Sequence, residues 1–386
     1  MNQMPVLPTG EELAREELEA LLAPYWLDPT VDYPSPHYLL EYRGVGFSPL
    51  GGIQALSGQK KNGKTFVLAQ MISAILGHES ERVGAFLNGL RLNEETLAWL
   101  GHEPSVLYVD TEMEQLNSAK VLKRVHWLCG WDMKKQYDRF RVLWLRQVQK
   151  NDDLKAFELR YKLIKSAIEY MQPTAVFIDG IRDVIGDFNN NEEASALVTD
   201  LMSVATQNNC CIWNVLHANP RPQNDDESKM RGHLGTELGN KVSDTFVSIK
   251  KKDPETGRVT FTVKQQDARG KDVDDWKFEI VDDAGKELGV PRIMEPSIGS
   301  EPTAKSKNDD TEWMTSAIRG AINPPSSCSY SELCNRLKAN EGIGTTRVRE
   351  WIRKSLSLEI IDRDVCGRYT FNENKANSNE NDEMPF

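Results

Sequence analysis

The chain has 386 residues, more than one ordinary domain needs, so a large core domain with at least one smaller domain is expected. Asp and Glu outnumber Lys and Arg by 58 to 47, and the net charge of -11 excludes a protein coated with nucleic acid over its whole surface. The six cysteines show neither zinc-site spacing nor the density of a disulfide scaffold. No apolar run approaches the roughly 20 residues that span a bilayer, and no signal-peptide pattern opens the chain, which predicts a soluble, cytoplasmic protein without a membrane partner.

Residues 1–43 combine a short helical pattern with the proline-rich segment DPTVDYPSPHY. They are predicted to form an N-terminal arm that packs on its own core or reaches a neighbouring subunit. From residue 44 to residue 294, apolar strand-like runs alternate with amphipathic helical stretches. This alternation predicts an α/β domain with a mainly parallel sheet and helices on both faces.

Residues 58–65 read GQKKNGKT, a full match to the GxxxxGK[ST] pattern, and they lie between a strand-like run and a helix-like run. Gly58 and Gly63 allow the backbone to curl so that its N–H groups point at phosphate oxygens. Lys64 is expected to reach the terminal phosphates, and the Thr65 hydroxyl to bind Mg²⁺. The alternative is a glycine turn without a ligand. The predicted cradle for Mg-ATP consists of Gly58, Gln59, Lys60, Lys61, Asn62, Gly63, Lys64 and Thr65.

Two later strand-like runs end in acids, Asp110 and Glu112 in SVLYVDTEM and Asp179 in PTAVFIDGI. Open parallel sheets bind ligands at this end of their strands. We assign Asp179 to the magnesium side and Glu112 to the activation of water, while the alternative is that such acids cap the next helix. The run CIWNVLHANP ends with His217, which either senses the terminal phosphate or is structural.

Taken together, GQKKNGKT, VLYVDTEM, VFIDGI and WNVLHANP resemble the motif series of RecA-like hexameric helicases, over residues 44–282. The likeness is to the RepA type, which plasmids and other mobile elements carry. The resemblance implies a RecA-like P-loop ATPase core with Glu112 as the catalytic glutamate, Asp179 as the acid of the third motif and His217 as the following polar residue. Two features depart from the pattern: the long segment 78–103, and a glycine after Asp179 where a second acid is frequent.

In that family the ATP site lies between subunits of a ring. The resemblance therefore implies a homo-oligomer, expected to be a hexamer, and a basic residue supplied in trans to stabilise the transferred phosphoryl group. Arg231, Lys264 and Arg269 are the candidates, and the last two follow a strand with a spacing similar to that of the family. For each of them the alternative is an ordinary surface charge.

Residues 295–310 read as a flexible linker, and residues 311–372 have three helical patterns followed by a hairpin-like end. This order looks like a winged helix-turn-helix, in which Ser329 and Glu332 form a capping box at the second helix. The alternative is a winged helix that grips protein. Candidate contacts to duplex DNA are Arg347, Arg349, Arg353 and Lys354 on the third helix, with Arg363 and Arg368 on the wing.

Residues 373–386 form an acidic, Asn-rich tail that is not expected to fold alone. Its end, NENDEMPF, resembles the acidic tip of single-stranded DNA-binding proteins, which implies docking to a replication protein. The whole pattern predicts an ATP-hydrolysing motor on DNA, single-stranded in the core, such as a replicative helicase or translocase of a mobile element. The alternatives are an ATP-controlled DNA-binding regulator and an ATP-binding interaction scaffold.

Overall fold

The computed structural model describes residues 15–33, 35–219, 229–254, 256–285, 287–295, 307–323, 326–341, 345–358, 360–364 and 368–372. Within these ranges the side chains of residues 16, 24, 307–313, 341, 345–347, 349, 350 and 357 are not described. The chain divides into two compact units, Met1–Met294 and Glu295–Phe386. No helix in the described ranges is long and apolar enough to cross a membrane.

The strands of the first unit are β1 (Tyr38–Tyr42), β2 (Val45–Pro49), β3 (Ile53–Gly58), β4 (Leu90–Leu92), β5 (Val106–Asp110), β6 (Phe140–Trp144), β7 (Ala175–Asp179), β8 (Cys211–His217), β9 (Asp244–Lys252), β10 (Val259–Ala268), β11 (Trp276–Val281) and β12 (Val290–Ile293). A nine-stranded sheet forms the centre of this unit, with strand order β12-β11-β10-β9-β3-β8-β7-β5-β6. The strands from β9 to β6 in this order run parallel, and β10, β11 and β12 extend one edge with antiparallel pairs. The predicted α/β fold with a mainly parallel sheet is therefore confirmed.

Helices cover both faces of this sheet, because successive strand residues point to opposite sides and both sides are apolar. In β7, Phe177 belongs to one buried cluster and Ile178 to the other. The helices are α1 (Arg15–Leu22), α2 (Lys64–Leu76), α3 (Glu81–Leu87), α4 (Glu94–Leu100), α5 (Gln115–Leu128), α6 (Ala156–Met171), α7 (Asn191–Gln207) and α8 (Gly232–Lys241), with 3-10 helices at Ala23–Tyr25 and Ile181–Val184. The first cluster includes residues of α2 and α5, and the second cluster includes residues of α6, α7 and α8.

The segment predicted as an arm up to residue 43 ends with a strand of the folded core. Strand β1 pairs with β2 and β4 in a three-stranded antiparallel sheet, and its residues Leu39, Leu40 and Tyr42 are buried. The burial of these apolar side chains outweighs the proline signals that precede them. Strand β4 lies, with α3 and α4, in the long segment 78–103 that sets this chain apart from the RepA-type pattern. This segment therefore supplies the strand with which β1 pairs.

The second unit contains α9 (Lys307–Ile322), α10 (Tyr330–Glu341), α11 (Thr345–Ser357) and an antiparallel pair of strands, β13 (Ile361–Arg363) and β14 (Tyr369–Phe371). Helix α9 begins inside the stretch predicted as linker. Ser329 and Glu332 form the expected capping box, since the Ser329 N–H donates to Glu332 Oε2 and the Glu332 N–H donates to Ser329 Oγ. The tail at 373–386 lies outside the described residues. The buried core of the unit includes Met314, Ile318, Leu333, Leu337, Trp351 and Ile352.

Candidate nucleotide-binding site

The loop at residues 58–65 joins β3 to α2, and both of its glycines sit where a side chain has no room. A Cβ atom on Gly58 would lie 2.7 Å from the Ser248 carbonyl oxygen of β9. Gly63 precedes α2 with φ 82°, and a Cβ there would lie 2.6 Å from the Phe261 ring of β10. Strands β9 and β10 thus pack directly against the loop. Asn62 Nδ2 also donates a hydrogen bond to the Ser248 carbonyl oxygen (3.3 Å). The helix that follows directs its first N–H groups toward the loop.

Lys64 is buried at the start of α2, and its ammonium group donates all of its hydrogens within the site. Nζ lies 3.0 Å from the Gly58 carbonyl oxygen, 3.1 Å from that of Gln59 and 3.1 Å from His217 Nδ1. Burial lowers the pKa of Lys64, while the negative charges of Asp179 and Glu112 oppose this shift. To bind a phosphate oxygen, Lys64 must exchange at least one of these hydrogen bonds for a bond to the ligand.

His217 ends β8 and lies between Lys64 and Glu112. Because an ammonium group only donates, His217 Nδ1 accepts from Lys64, which leaves the ring proton on Nε2. Nε2 lies 3.4 Å from Glu112 Oε2. The hydrogen bond from His217 lowers the pKa of Glu112, and burial opposes this. Glu112 is therefore held as an ionised carboxylate, the form that a general base requires.

Asp179 ends β7, and its Oδ2 accepts two hydroxyl hydrogen bonds, from Thr65 Oγ1 (3.1 Å) and from the Tyr108 hydroxyl (3.0 Å). Burial, together with the charges of Asp110 and Glu112, raises the pKa of Asp179 to about 6. Tyr108 is a site residue that the sequence analysis missed. In the sequence, Tyr108 is a single tyrosine within the aliphatic run that forms the buried strand β5.

Asp110 stabilises the turn that follows β5 and does not cap α5, whose N-cap residue is Glu114. Its Oδ1 accepts the backbone N–H groups of Glu112 and Met113, both at 2.9 Å, and its Oδ2 accepts from Ser118 Oγ. These bonds shape the turn between β5 and α5. Glu112, which lies on that turn, is thereby left with its carboxylate facing His217 rather than the helix.

Gly180 explains why no second acid follows Asp179. Its φ is +103°, and a Cβ atom there would overlap Thr111 Oγ1 and lie 2.7 Å from Glu112 Cγ. Only glycine tolerates both the dihedral angle and the contact. The glycine stands where RepA-type sequences often have a second acid. It leaves the space that the Glu112 side chain occupies at the end of β7.

The three cations proposed to act in trans make their contacts elsewhere in the described part of the chain. Lys264 Nζ is 3.8 Å from Asp275 Oδ2, and Arg269 Nη2 donates to the Lys241 carbonyl (3.1 Å). The Arg231 guanidinium lies 5.9 Å from the centre of the Phe188 ring. Lys264 and Arg269 line a cleft of about 850 Å³ between α8 and strands β9 and β10.

No group of three or more His, Cys, Asp or Glu side chains in the described ranges is arranged to hold a metal ion by itself. Thr65 and Asp179 nevertheless fit Mg²⁺ that binds together with phosphates, since this ion keeps several waters and takes one or two protein oxygens. Thr65 donates its proton to Asp179, so the lone pairs of its oxygen are available to the ion.

These features define a P-loop nucleotide-binding site in an α/β core with a mainly parallel sheet. Residues 29–222, just over half of the chain, match the AAA domain family, and the chain belongs to this family. Solved structures also match it, among them a KaiC-like protein from the hyperthermophilic archaeon Pyrococcus horikoshii OT3, with 15% sequence identity, 65% of this chain and 92% of that chain covered, and a TM-score of 0.42. The comparison with curated proteins gave no match.

We predict that Gly180→Ala slows ATP hydrolysis by about 100-fold, because the new methyl group displaces Glu112 from its position beside His217. ATP affinity is expected to change little, since the loop at 58–65 is untouched. The matched control is Gly285→Ala, which has a similar φ of +97° but open space around it. Steady-state phosphate release and binding of a fluorescent ATP analogue measure both quantities; equal rates for the two variants would contradict the prediction.

Asp179→Asn is expected to stabilise the protein at neutral pH when nucleotide and Mg²⁺ are left out. The folded-state pKa of Asp179, about 6, lies above its ordinary value of 3.8, so its protonation favours folding below pH ~4 and this stability is lost as the pH rises through 6. Asparagine stays neutral throughout. The free energy of unfolding in urea should exceed that of the unmodified chain by up to about 3 kcal/mol above pH 7 and match it near pH 4. Asp138→Asn, on the surface, is the control, and parallel pH curves for the three proteins would refute the expectation.

Proposed function

We propose that this protein is an ATP-hydrolysing motor that acts on DNA, a replicative helicase or translocase of the RepA type. The observation that carries the proposal is the contact series from Lys64 through His217 to Glu112, beside Asp179 and Thr65. It joins a phosphate-binding loop, a base and a magnesium carboxylate at one end of adjacent parallel strands. This combination is what hydrolysis of a nucleoside triphosphate requires.

Each residue has a separate task in the proposed reaction. The backbone of the loop and Lys64 hold the terminal phosphates, and Glu112 accepts a proton from the attacking water. Asp179 and Thr65 would hold a hydrated Mg²⁺, which would neutralise charge on the phosphates. His217 keeps Glu112 in place and lies within reach of the phosphate that Lys64 contacts, so it couples the occupancy of the loop to the position of the base.

The proposed assembly is a homo-oligomer, a hexamer by the family resemblance, in which ATP lies between neighbouring subunits. Lys264 and Arg269 support this arrangement because both line the cleft between α8 and strands β9 and β10 of their own chain. There Lys264 lies 3.8 Å from Asp275, and Arg269 donates to the Lys241 carbonyl. A neighbouring copy that approaches this cleft would place its phosphates near two cations. Arg231, which precedes α8, is the third candidate.

The second unit is proposed to be a winged helix that contacts duplex DNA. Helix α11 buries Val348, Trp351 and Ile352 and exposes Arg353 and Lys354 on its other side. Arg363 on β13 is exposed as well, whereas the Arg368 guanidinium donates to the Ser327 hydroxyl and carbonyl and so anchors the hairpin. The side chains of Arg347 and Arg349 lie outside the description. We also propose that the C-terminal NENDEMPF tip docks to a replication protein; this tip lies outside the described residues.

Glu112→Gln is expected to keep ATP affinity and to lower the rate of hydrolysis by about 100-fold or more, because the amide cannot accept the proton of the water. Lys64→Ala is expected to lose nucleotide binding. The decisive measurement is phosphate release by the unmodified chain with and without single-stranded DNA. Stimulation of many-fold supports a motor, whereas slow turnover that ignores DNA identifies an ATP-controlled regulator. Nucleotide binding without any turnover would leave only a scaffold.

Arg353→Ala is expected to weaken binding of duplex DNA several-fold and to lower the salt dependence of log Kd by about one ion. Fluorescence anisotropy with a labelled duplex, repeated at several salt concentrations, measures both effects. Lys338→Ala on α10 serves as the control, since it removes the same charge from another helix of the unit. If neither variant changes the affinity, or if the unmodified chain ignores duplex DNA, the unit does not grip DNA through α11.

A further inference from the structure

We propose that Tyr108 is a positioning residue for the magnesium carboxylate: its hydroxyl and that of Thr65 both occupy Asp179 Oδ2 and thereby turn Oδ1 to the ion. The proposal rests on the proposed function, because it assumes that Mg²⁺ is bound with a nucleotide at Thr65 and Asp179. It assigns a role to a residue of VLYVDTEM that has no task in the proposed hydrolysis.

The strand register brings the two side chains together. Tyr108 in β5 pairs with Phe177 in β7, and Asp179 lies two residues further along β7 on the same face of the sheet. The tyrosine ring spans this distance, so its hydroxyl ends 3.0 Å from Asp179 Oδ2. Tyr108 itself is fully buried among apolar residues. A phenylalanine would fill the same space, and the hydroxyl is the only group that distinguishes the two.

The chemistry of the hydroxyl fits a fixed donor. Burial and the nearby charge of Asp179 hold the pKa of Tyr108 well above its usual range, so the phenol keeps its proton and donates it. A carboxylate oxygen accepts two hydrogen bonds, and Oδ2 receives two. Two donors on one oxygen fix the orientation of the carboxylate.

The buried guanidinium of Arg124 packs close to Thr65. It donates to the Leu288 and Gly289 carbonyls and lies over the ring of Phe66, the residue after Thr65. Burial raises the pKa of Tyr108, and the charge of Arg124 opposes this shift.

The test is Tyr108→Phe in the full chain, with Tyr42→Phe as the matched control because Tyr42 is also buried in the same core cluster. Binding of a fluorescent ATP analogue is measured with and without Mg²⁺, and hydrolysis is titrated with Mg²⁺. We expect Tyr108→Phe to leave binding without Mg²⁺ unchanged and to raise the half-saturating Mg²⁺ concentration by about 10-fold. Tyr42→Phe should leave both quantities unchanged.

A double-mutant cycle with Asp179→Ala separates positioning from packing. In the Asp179→Ala background, Tyr108→Phe should have no further effect on the Mg²⁺ dependence of nucleotide binding, and the melting temperature reports whether each variant folds. An equal Mg²⁺ dependence of Tyr108→Phe and the unmodified chain, or an equal effect in both backgrounds, would overturn the proposal. Failure of the unmodified chain to bind or hydrolyse ATP would instead overturn the proposed function.

Discussion

The parallel pairing of β3, β8, β7 and β5 is the constraint on which the site depends. Its register places Gly58 beside His217, and Asp110 beside Asp179. Because the carboxyl ends of parallel strands meet at one edge of the sheet, Lys64 and His217 form a hydrogen bond although 153 positions separate them in the chain. A slip of β8 by one residue would turn His217 to the other face. The buried apolar side chains that specify this register therefore specify the chemistry as well.

The site gathers three carboxylates, two of which act on the Lys64 ammonium group, and each carboxylate is stabilised differently. Asp110 accepts hydrogen bonds from two backbone N–H groups and from Ser118. Glu112 faces His217, and Asp179 accepts hydrogen bonds from two hydroxyl groups. Burial, together with the charges of the other two carboxylates, raises the pKa of Asp179 to about 6. The excess of negative charge suits a divalent cation that arrives with phosphates, because the cation balances the charge that the protein leaves uncompensated.

Close approach of backbone and side chains fixes several of the small residues. Gly63 is required by the Phe261 ring, and Gly180 by Thr111 and Glu112. In both cases a segment that is distant in sequence packs against the glycine. Conformational freedom alone would not have distinguished these positions from Gly285, which has a positive φ but open surroundings.

The sequence by itself determined the α/β class, the phosphate-binding loop and the strand-end acids, because hydrophobic periodicity and the GxxxxGK[ST] spacing are local properties of the chain. It did not reveal Tyr108 or explain the glycine after Asp179. It also placed β1 in an arm: β2 follows β1 directly, but the other partner strand, β4, lies far along the chain. These features were decided by tertiary structure alone. Hydrogen-bond partners and steric neighbours depend on which strands lie side by side, and strand order is set by packing of the whole core rather than by any local pattern.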